Sequence, residues 1–315
     1  MKNYFLIVIL GLSFSSLFTA CDDDDDNVDD KNENEYVEAT IDDTGGSLTT
    51  LDGVMELVIP PNALSSQTMV SVELPDPLPP DNVTNRLTLS QTLFDWSPDG
   101  LQFNLPASLT YNYRNDNVPI PGADEVLTLA TYEAGEWLEV PSSVNAAEKS
   151  ITAEIEHFSL WTIVDKSNWQ INYNGTNYLM DNSKSEFFNE GLTDPFDEDL
   201  NTNPTHYLYN LYISEAQEAI EIDMYLFAPE EADFSNSTFE FIDINNATPE
   251  DLANLTFTTD VRVVLNNQVD IKPVSGTVQV IGDAANNKFL VKLNLTYPDD
   301  ESLTGNYYGT FTRVQ

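Results

Sequence analysis

Gly276-Thr277-Val278-Gln279-Val280-Ile281, a turn at Asp283 to Asn287, a run from Phe289 to Tyr297, a turn at Pro298 to Glu301 and a last run from Leu303 to Val314 decide the fold class. Apolar and polar residues alternate along these runs, which is the period of half-buried strands. The connections are far shorter than the dozen or so residues that a parallel crossover needs, so the runs pair as an antiparallel meander. The same period returns upstream. Trp169, Ile171 and Tyr173 share a face ahead of Asn174-Gly175, whose tolerance of positive φ suits a two-residue hairpin turn. Tyr207, Tyr209 and Leu211 repeat the pattern, as do Ile220, Ile222 and Met224. Long amphipathic helices are absent. The best helical stretches, Ser214 to Ala219 and Thr248 to Leu252 with its capping-type Thr248-Pro249-Glu250, read as short connectors. About eight strands over residues 166–315 fit either a β-sandwich or a calycin-like barrel.

A seam at Asp165 to Asn168 separates this C-terminal antiparallel β domain from a first one over residues 44–165, which makes the chain all-β. In the first, Leu48 to Leu51 and Val54 to Ile59 flank Asp52-Gly53, another pair suited to a two-residue turn. Pro60-Pro61 breaks the pattern at an edge or corner, because proline cannot donate to a ladder. Alternation resumes through Val70, Val72 and Leu74, through Leu109, Tyr111 and Tyr113, in the hairpin Tyr132 to Trp137, and in a closing strand from Ile151 to Val164. Thr44-Gly45-Gly46-Ser47-Leu48, Asp52-Gly53 and Ile59-Pro60-Pro61-Asn62-Ala63-Leu64 resemble the opening of the ZU-five domain, and His157-Phe158-Ser159-Leu160-Trp161 resembles its close. The resemblance implies a β-sandwich that serves as an interaction or spacer module. Residues 166–315 resemble, weakly, the terminal β-domains of Bacteroidetes-type secreted lipoproteins.

The amino terminus reads as an address. Lys2 and Asn3 precede a largely apolar stretch from Tyr4 to Phe18, then Thr19 and Ala20, the layout of a secretory signal over residues 1–20, too short for a comfortable bilayer span. Cys21, the chain's single cysteine, follows at the cleavage position and resembles the lipobox of bacterial lipoproteins, with Phe18 where leucine is usual. That resemblance implies a diacylglyceryl thioether on Cys21 and an acylated amine, and two or more acyl chains make a stable anchor. An ordinary signal followed by a spare thiol is the plainer alternative. Asp22 to Asp26 open a run with twelve acids by Asp43 against Lys31 alone, so residues 21–43 read as a solvated, disordered tether. This run resembles the surface-export signal of Bacteroidetes-type lipoproteins, which implies the outer membrane's exterior face; a generic acidic spacer is the alternative.

Composition excludes some partners and chemistries. Twelve Lys and Arg against 53 Asp and Glu leave a net charge of −41 with no basic cluster, which excludes a nucleic-acid partner. His157 and His206 are the only histidines, too few for a zinc site alongside a cysteine assigned to lipid. Asp194, Asp197, Glu198 and Asp199 in one loop make a calcium candidate, with a solvated loop as the alternative. No nucleophile elbow and no phosphate loop occurs, and so many acids make any carboxylate pair uninformative.

His157-Phe158-Ser159 matches the self-cleavage motif of some ZU-five proteins. The resemblance implies attack of the Ser159 hydroxyl on the Phe158 carbonyl, with His157 assisting; the alternative is a plain strand through Val164. The second domain carries nine of the fourteen tyrosines, and Tyr207, Tyr209 and Tyr212 are candidates for stacking on sugar rings or for half-buried pleat positions. The expectation is a non-catalytic, lipid-anchored surface protein that binds glycan or protein; its rivals are a spacer with a self-cleaving hinge and a polysaccharide hydrolase.

Overall fold

The computed structural model describes residues 36–50, 53–75, 93–113, 122–180, 183–197, 202–265, 268–269, 272–283 and 286–314. Cys21, its signal and the acidic run as far as residue 35 lie outside them. The first eleven strands are β1 (Val37–Ile41), β2 (Gly46–Thr49), β3 (Met55–Ile59), β4 (Thr68–Glu73), β5 (Phe94–Ser97), β6 (Gln102–Asn112), β7 (Leu127–Glu133), β8 (Glu136–Val140), β9 (Ser142–Asn145), β10 (Ser150–His157) and β11 (Leu160–Asp165), with a short α1 (Ala123–Val126) ahead of β7. They form a six-stranded sheet, β1-β4-β5-β11-β7-β8, and a five-stranded sheet, β2-β3-β6-β10-β9. Met55, Leu57, Trp96, Leu109, Tyr111, Phe158 and Trp161 fill one core between these strands. Burial of such side chains, about 1.5–3 kcal/mol each, is what holds a sandwich together.

Three readings of the sequence need correction here. Val37 to Ile41 is not tether: it forms β1 against β4, with Val37 and Ala39 partly buried and Ile41 in the core. The β2–β3 connection is longer than a two-residue turn, since Thr49 pairs with Glu56. Thr50 closes it, its N–H donating to Met55 O and its hydroxyl accepting from Met55 N, both at 2.9 Å. Finally, the closing stretch is not one strand. β10 ends at His157 in one sheet and β11 begins at Leu160 in the other, so Phe158 and Ser159 carry the chain across the sandwich.

The two separated parts of the opening motif meet in space. Gly45 has φ +80°, and a Cβ there would lie 2.5 Å from Ile59 O and 2.9 Å from the backbone of Pro60 and Pro61. Only glycine lets these backbones approach so closely. Asn62 N then donates to Asp43 O at 2.8 Å.

The remaining strands are β12 (Gln170–Tyr173), β13 (Thr176–Leu179), β14 (Lys184–Thr193), β15 (His206–Ser214), β16 (Ile220–Ala228), β17 (Ser237–Phe241), β18 (Phe257–Leu265), β19 (Gln268–Val269), β20 (Ser275–Asp283), β21 (Lys288–Thr296), β22 (Ser302–Thr310) and β23 (Thr312–Arg313), with α2 (Pro249–Leu252) before β18. They make a single sheet of twelve strands, more than the eight read from sequence. Its order is β13-β12-β22-β21-β20-β17-β18-β16-β15-β14-β23, with β19 on β18. β23 continues β22 after Phe311 alone, yet pairs in parallel with β14 at the other end of the ladder. The sheet therefore curls back on itself, which leaves fewer unpaired edges than an open sheet of this length.

Asn174 (φ 47°) and Gly175 (φ 81°) form the expected two-residue turn between Tyr173 and Thr176. Ser214 to Ala219 is a turn rather than a helix: the Glu215 carboxylate accepts from Gln217 N and Ala219 N, and β16 starts at Ile220. Inside the curl, Phe234 lies 4.2 Å from the Tyr209 ring, 5.3 Å from Phe187 and 5.4 Å from Phe289, centroid to centroid, so aromatic side chains occupy the space where a calycin would hold a ligand.

Among the described residues, no strand before Asp165 pairs with one after Gln170. The two sets of strands nevertheless pack together. Leu290 and Tyr308 of the curled sheet are buried in the sandwich core, and Trp169 packs against both cores. Lys288 Nζ bonds Asp165 Oδ2 at 2.6 Å and Lys292 Nζ bonds Glu125 Oε1 at 2.7 Å across the same seam.

Candidate functional site

The strand pair β16–β18 builds a cleft by simple alternation. Ile222, Met224, Val261 and Val263 point into the core, which turns Asp223, Tyr225, Asp260 and Arg262 to the outer face. Register places Asp223 opposite Arg262 and Tyr225 opposite Asp260. A bulge follows between Tyr225 and Leu226, leaving Thr259 as the extra residue in the cleft wall. Bulges often re-aim side chains in this way beside binding sites. The Thr258 hydroxyl stabilises this one, donating to Tyr225 O at 2.7 Å.

The other walls come from distant parts of the chain. They are Phe241 at the end of β17, Asp243, Ile244 and Asn245 in the turn after it, the segment Lys272 to Val274 before β20, and Pro195. The open cleft has a volume of about 670 Å³, within the span of about 300–1,000 Å³ usual for small-ligand pockets.

Its charges are held in pairs. Arg262 Nη2 bonds the Asp223 carboxylate and, at 2.9 Å, the Tyr225 hydroxyl, and its guanidinium stands 5.2 Å from the centre of the Tyr225 ring. Lys272 Nζ bonds Asp260 Oδ2 at 2.9 Å. Asp243 accepts from Asn245 N and Nδ2 at 3.1 Å and from Asn246 Nδ2 at 2.6 Å, which locks the turn. Burial pushes the Asp223 carboxyl up, and Arg262 and Asn210 only partly offset this. Burial pulls the Arg262 guanidinium down, but attraction to Asp223, Tyr225 and Asp260 outweighs it and leaves the group raised. Asp260 Oδ1 and Arg262 Nε are buried without a hydrogen-bond partner, which is costly unless something completes them.

The residues singled out from sequence lie elsewhere and are not brought together. Tyr209 is buried in the curled sheet, its hydroxyl donating to Glu231 O at 3.2 Å, and Tyr207 is half-buried against the same core. Tyr212 lies on the opposite face, donating to Glu221 Oε2 at 2.6 Å. The three therefore form no common platform. Asp194 accepts from Phe196 N, Asn203 N and the Thr202 hydroxyl, so its carboxylate organises its own loop. Asp197 is in that loop, while Glu198 and Asp199 lie outside the described residues. Among the described residues no three acids or histidines converge as a metal site.

At the sheet crossing, His157 Nε2 meets Glu133 Oε1 at 3.0 Å and its Nδ1 lies 3.2 Å from Phe158 O, which also accepts from Gly100 N at 3.2 Å. The Ser159 hydroxyl donates away from the histidine, to Tyr132 O at 3.1 Å. Phe158 is buried between Trp96 and Phe103.

Sequence reading missed Tyr225, Phe241, Asp260, Arg262 and Lys272. A signal existed: in a chain with few cations, Arg262 stands between Val261 and Val263 in an apolar strand, where alternation sends it outward. What it would meet there was not encoded locally. No protein-family model matches the chain, and a search of curated proteins finds no match either.

Proposed function

We propose that this chain is a lipid-anchored surface protein of the outer membrane, held through Cys21 with its β modules toward the exterior, and that it binds its ligand non-catalytically in the β16–β18 cleft. The cleft carries the reading: aromatic and aliphatic walls with a few fixed polar groups are the usual make-up of a recognition site. The first module, with its ZU-five-like motifs, then serves as a spacer. Two carboxyls among the described residues are pushed up by burial, Asp95 and Asp223. Asp95 is on β5 of the sandwich and Asp223 is paired with Arg262.

Two measurements test the proposal. Cys21→Ser is expected to move the protein from the detergent to the aqueous phase and to abolish the acyl mass on the N-terminal peptide; unchanged partitioning would end the anchor. In a thermal-shift screen of saccharides and peptides, a cleft ligand present at a hundred times its Kd is expected to stabilise the protein by about 2.7 kcal/mol. Val274→Trp, which fills the cleft mouth from a side chain 55% exposed, should lose that shift; equal shifts in both proteins would remove the cleft from the account.

A self-cleaving hinge is the second reading, favoured by the contacts that His157 and Gly100 make with the Phe158 carbonyl. The Ser159 oxygen would replace the amide nitrogen on that carbonyl, and water would then release the ester. The purified mature protein would run as two co-purifying fragments on a denaturing gel, and a single full-length band refutes it.

A further inference from the structure

We infer that the β16–β18 cleft takes a neutral, polyhydroxylated ligand, a short stretch of uncharged saccharide, and excludes charged glycans. This rests on the binding role proposed above and narrows it to one chemical class.

The argument begins with charge. The cleft is lined by two carboxylates, Asp243 and Asp260, and by two cations, Arg262 and Lys272, which cancel. All four are already committed. Arg262 is paired with Asp223, Lys272 with Asp260, and Asp243 with the amides of its own turn. An anionic ligand would meet cations already paired with Asp223 and Asp260. It would also approach a chain whose formal charge is −41, against a repulsive field. A cationic ligand would be drawn by that field but would find Arg262 and Lys272 facing it.

Hydrogen-bonding capacity remains where charge does not. A hydroxyl is both donor and acceptor, so it can bond polar groups of either kind on the wall. Asn245, Thr259 and the Lys272 ammonium add further polar groups around the wall. Tyr225, Phe241, Ile244, Pro273 and Val274 supply the apolar surface that the C–H face of a sugar ring covers.

The test is affinity electrophoresis of the mature soluble protein, residues 22–315, through gels containing neutral polysaccharides (dextran, xylan, mannan, laminarin) or acidic ones (polygalacturonate, alginate). It is run with wild type and with two steric blocks from exposed lining positions, Val274→Trp and Asn245→Trp, each checked for an unchanged thermal melt. Retardation by at least one neutral polysaccharide is expected, insensitive to raising salt from 50 to 500 mM, and weakened tenfold or more by either block. Retardation by acidic polysaccharides alone, lost with salt and lost in the blocked variants, would overturn the neutral class and leave the cleft as the binding site. Neutral binding that both blocks leave intact would overturn the cleft. No retardation in any gel would overturn the saccharide class, and a peptide-dependent thermal shift lost in Val274→Trp would then show that the cleft still binds.

Discussion

Replacing Lys288 with Met tests how the two sets of strands are joined. Lys288 Nζ lies 2.6 Å from Asp165 Oδ2, with the two side chains 21% and 6% exposed, and 4.7 Å from the centre of the Tyr308 ring. Methionine keeps most of the packing against Tyr308 and removes the charge, so the buried Asp165 carboxylate loses its ion pair with Lys288. Breaking a buried pair in this way costs about 3–5 kcal/mol. Because Lys288 retains a fifth of its exposure, the lower end applies, about 3 kcal/mol. With a urea slope of about 3 kcal/mol/M, the midpoint falls by about 1 M. All four tryptophans, Trp96, Trp137, Trp161 and Trp169, precede residue 170, so fluorescence follows the sandwich and the seam. The lesion is in the curled sheet, and Asn34–Gln315 form one compact unit; a single shifted transition by fluorescence is therefore expected. Lys288→Met with Asp165→Asn should recover at least half of the loss, since no charge is then stranded. A loss under about 0.5 kcal/mol, the value of an exposed pair, would refute the reasoning, as would a double variant whose cost is the plain sum of the singles.

Two further changes probe the curled sheet. Phe234→Ala removes the ring on which Tyr209, Phe187 and Phe289 converge and is expected to cost about 3–5 kcal/mol in chemical denaturation; a loss below about 1 kcal/mol would mean the interior can collapse around the void. His206 is buried, with Nδ1 2.9 Å from the Thr205 hydroxyl and Nε2 3.2 Å from Leu252 O, and burial lowers its pKa. The unfolded chain then binds the proton more readily than the folded one, so stability rises with pH through this window. As pH falls through about 6.5, the ordinary histidine value, stability should drop until the folded pKa is reached. His206→Gln should flatten that slope in melts between pH 5 and 8, and an unchanged slope would assign it to other groups.

Much of the fold could be read from local pattern, because a strand's faces follow from its own alternation. Asn174-Gly175 announced its turn since both residues must take positive φ, and the meander from Gly276 to Val314 needed only short connections. Tyr307 and Tyr308, adjacent on β22, face opposite sides: one lies inside the curl with its hydroxyl on Ser185 and the other in the seam. Local pattern misled where a long-range contact competed with it. Ser214 to Ala219 carries helix formers, but the tight return from β15 to β16 leaves room only for a turn. Val37 to Ile41 sits in acidic company, yet its alternate apolar residues find β4. Of the three tyrosines of β15 that were conspicuous in sequence, Tyr207 and Tyr209 pack in the curled sheet and Tyr212 bonds Glu221 on the other face, while Tyr225, one strand away, lines the cleft.

The amino-acid sequence by itself determined the strand-rich class, the inward and outward faces of each strand, the glycine turns and the overwhelming negative charge, because each depends on residues within a few positions of one another. Tertiary structure alone decided which strand lies beside which. It closed the ladder by turning the chain at Phe311 onto β14, carried the sandwich strand across at Phe158 and Ser159, and set Asp223 opposite Arg262 from a separate strand. Pairing partners are chosen by how the whole core fills, which no single stretch encodes, and the cleft exists only where those choices meet.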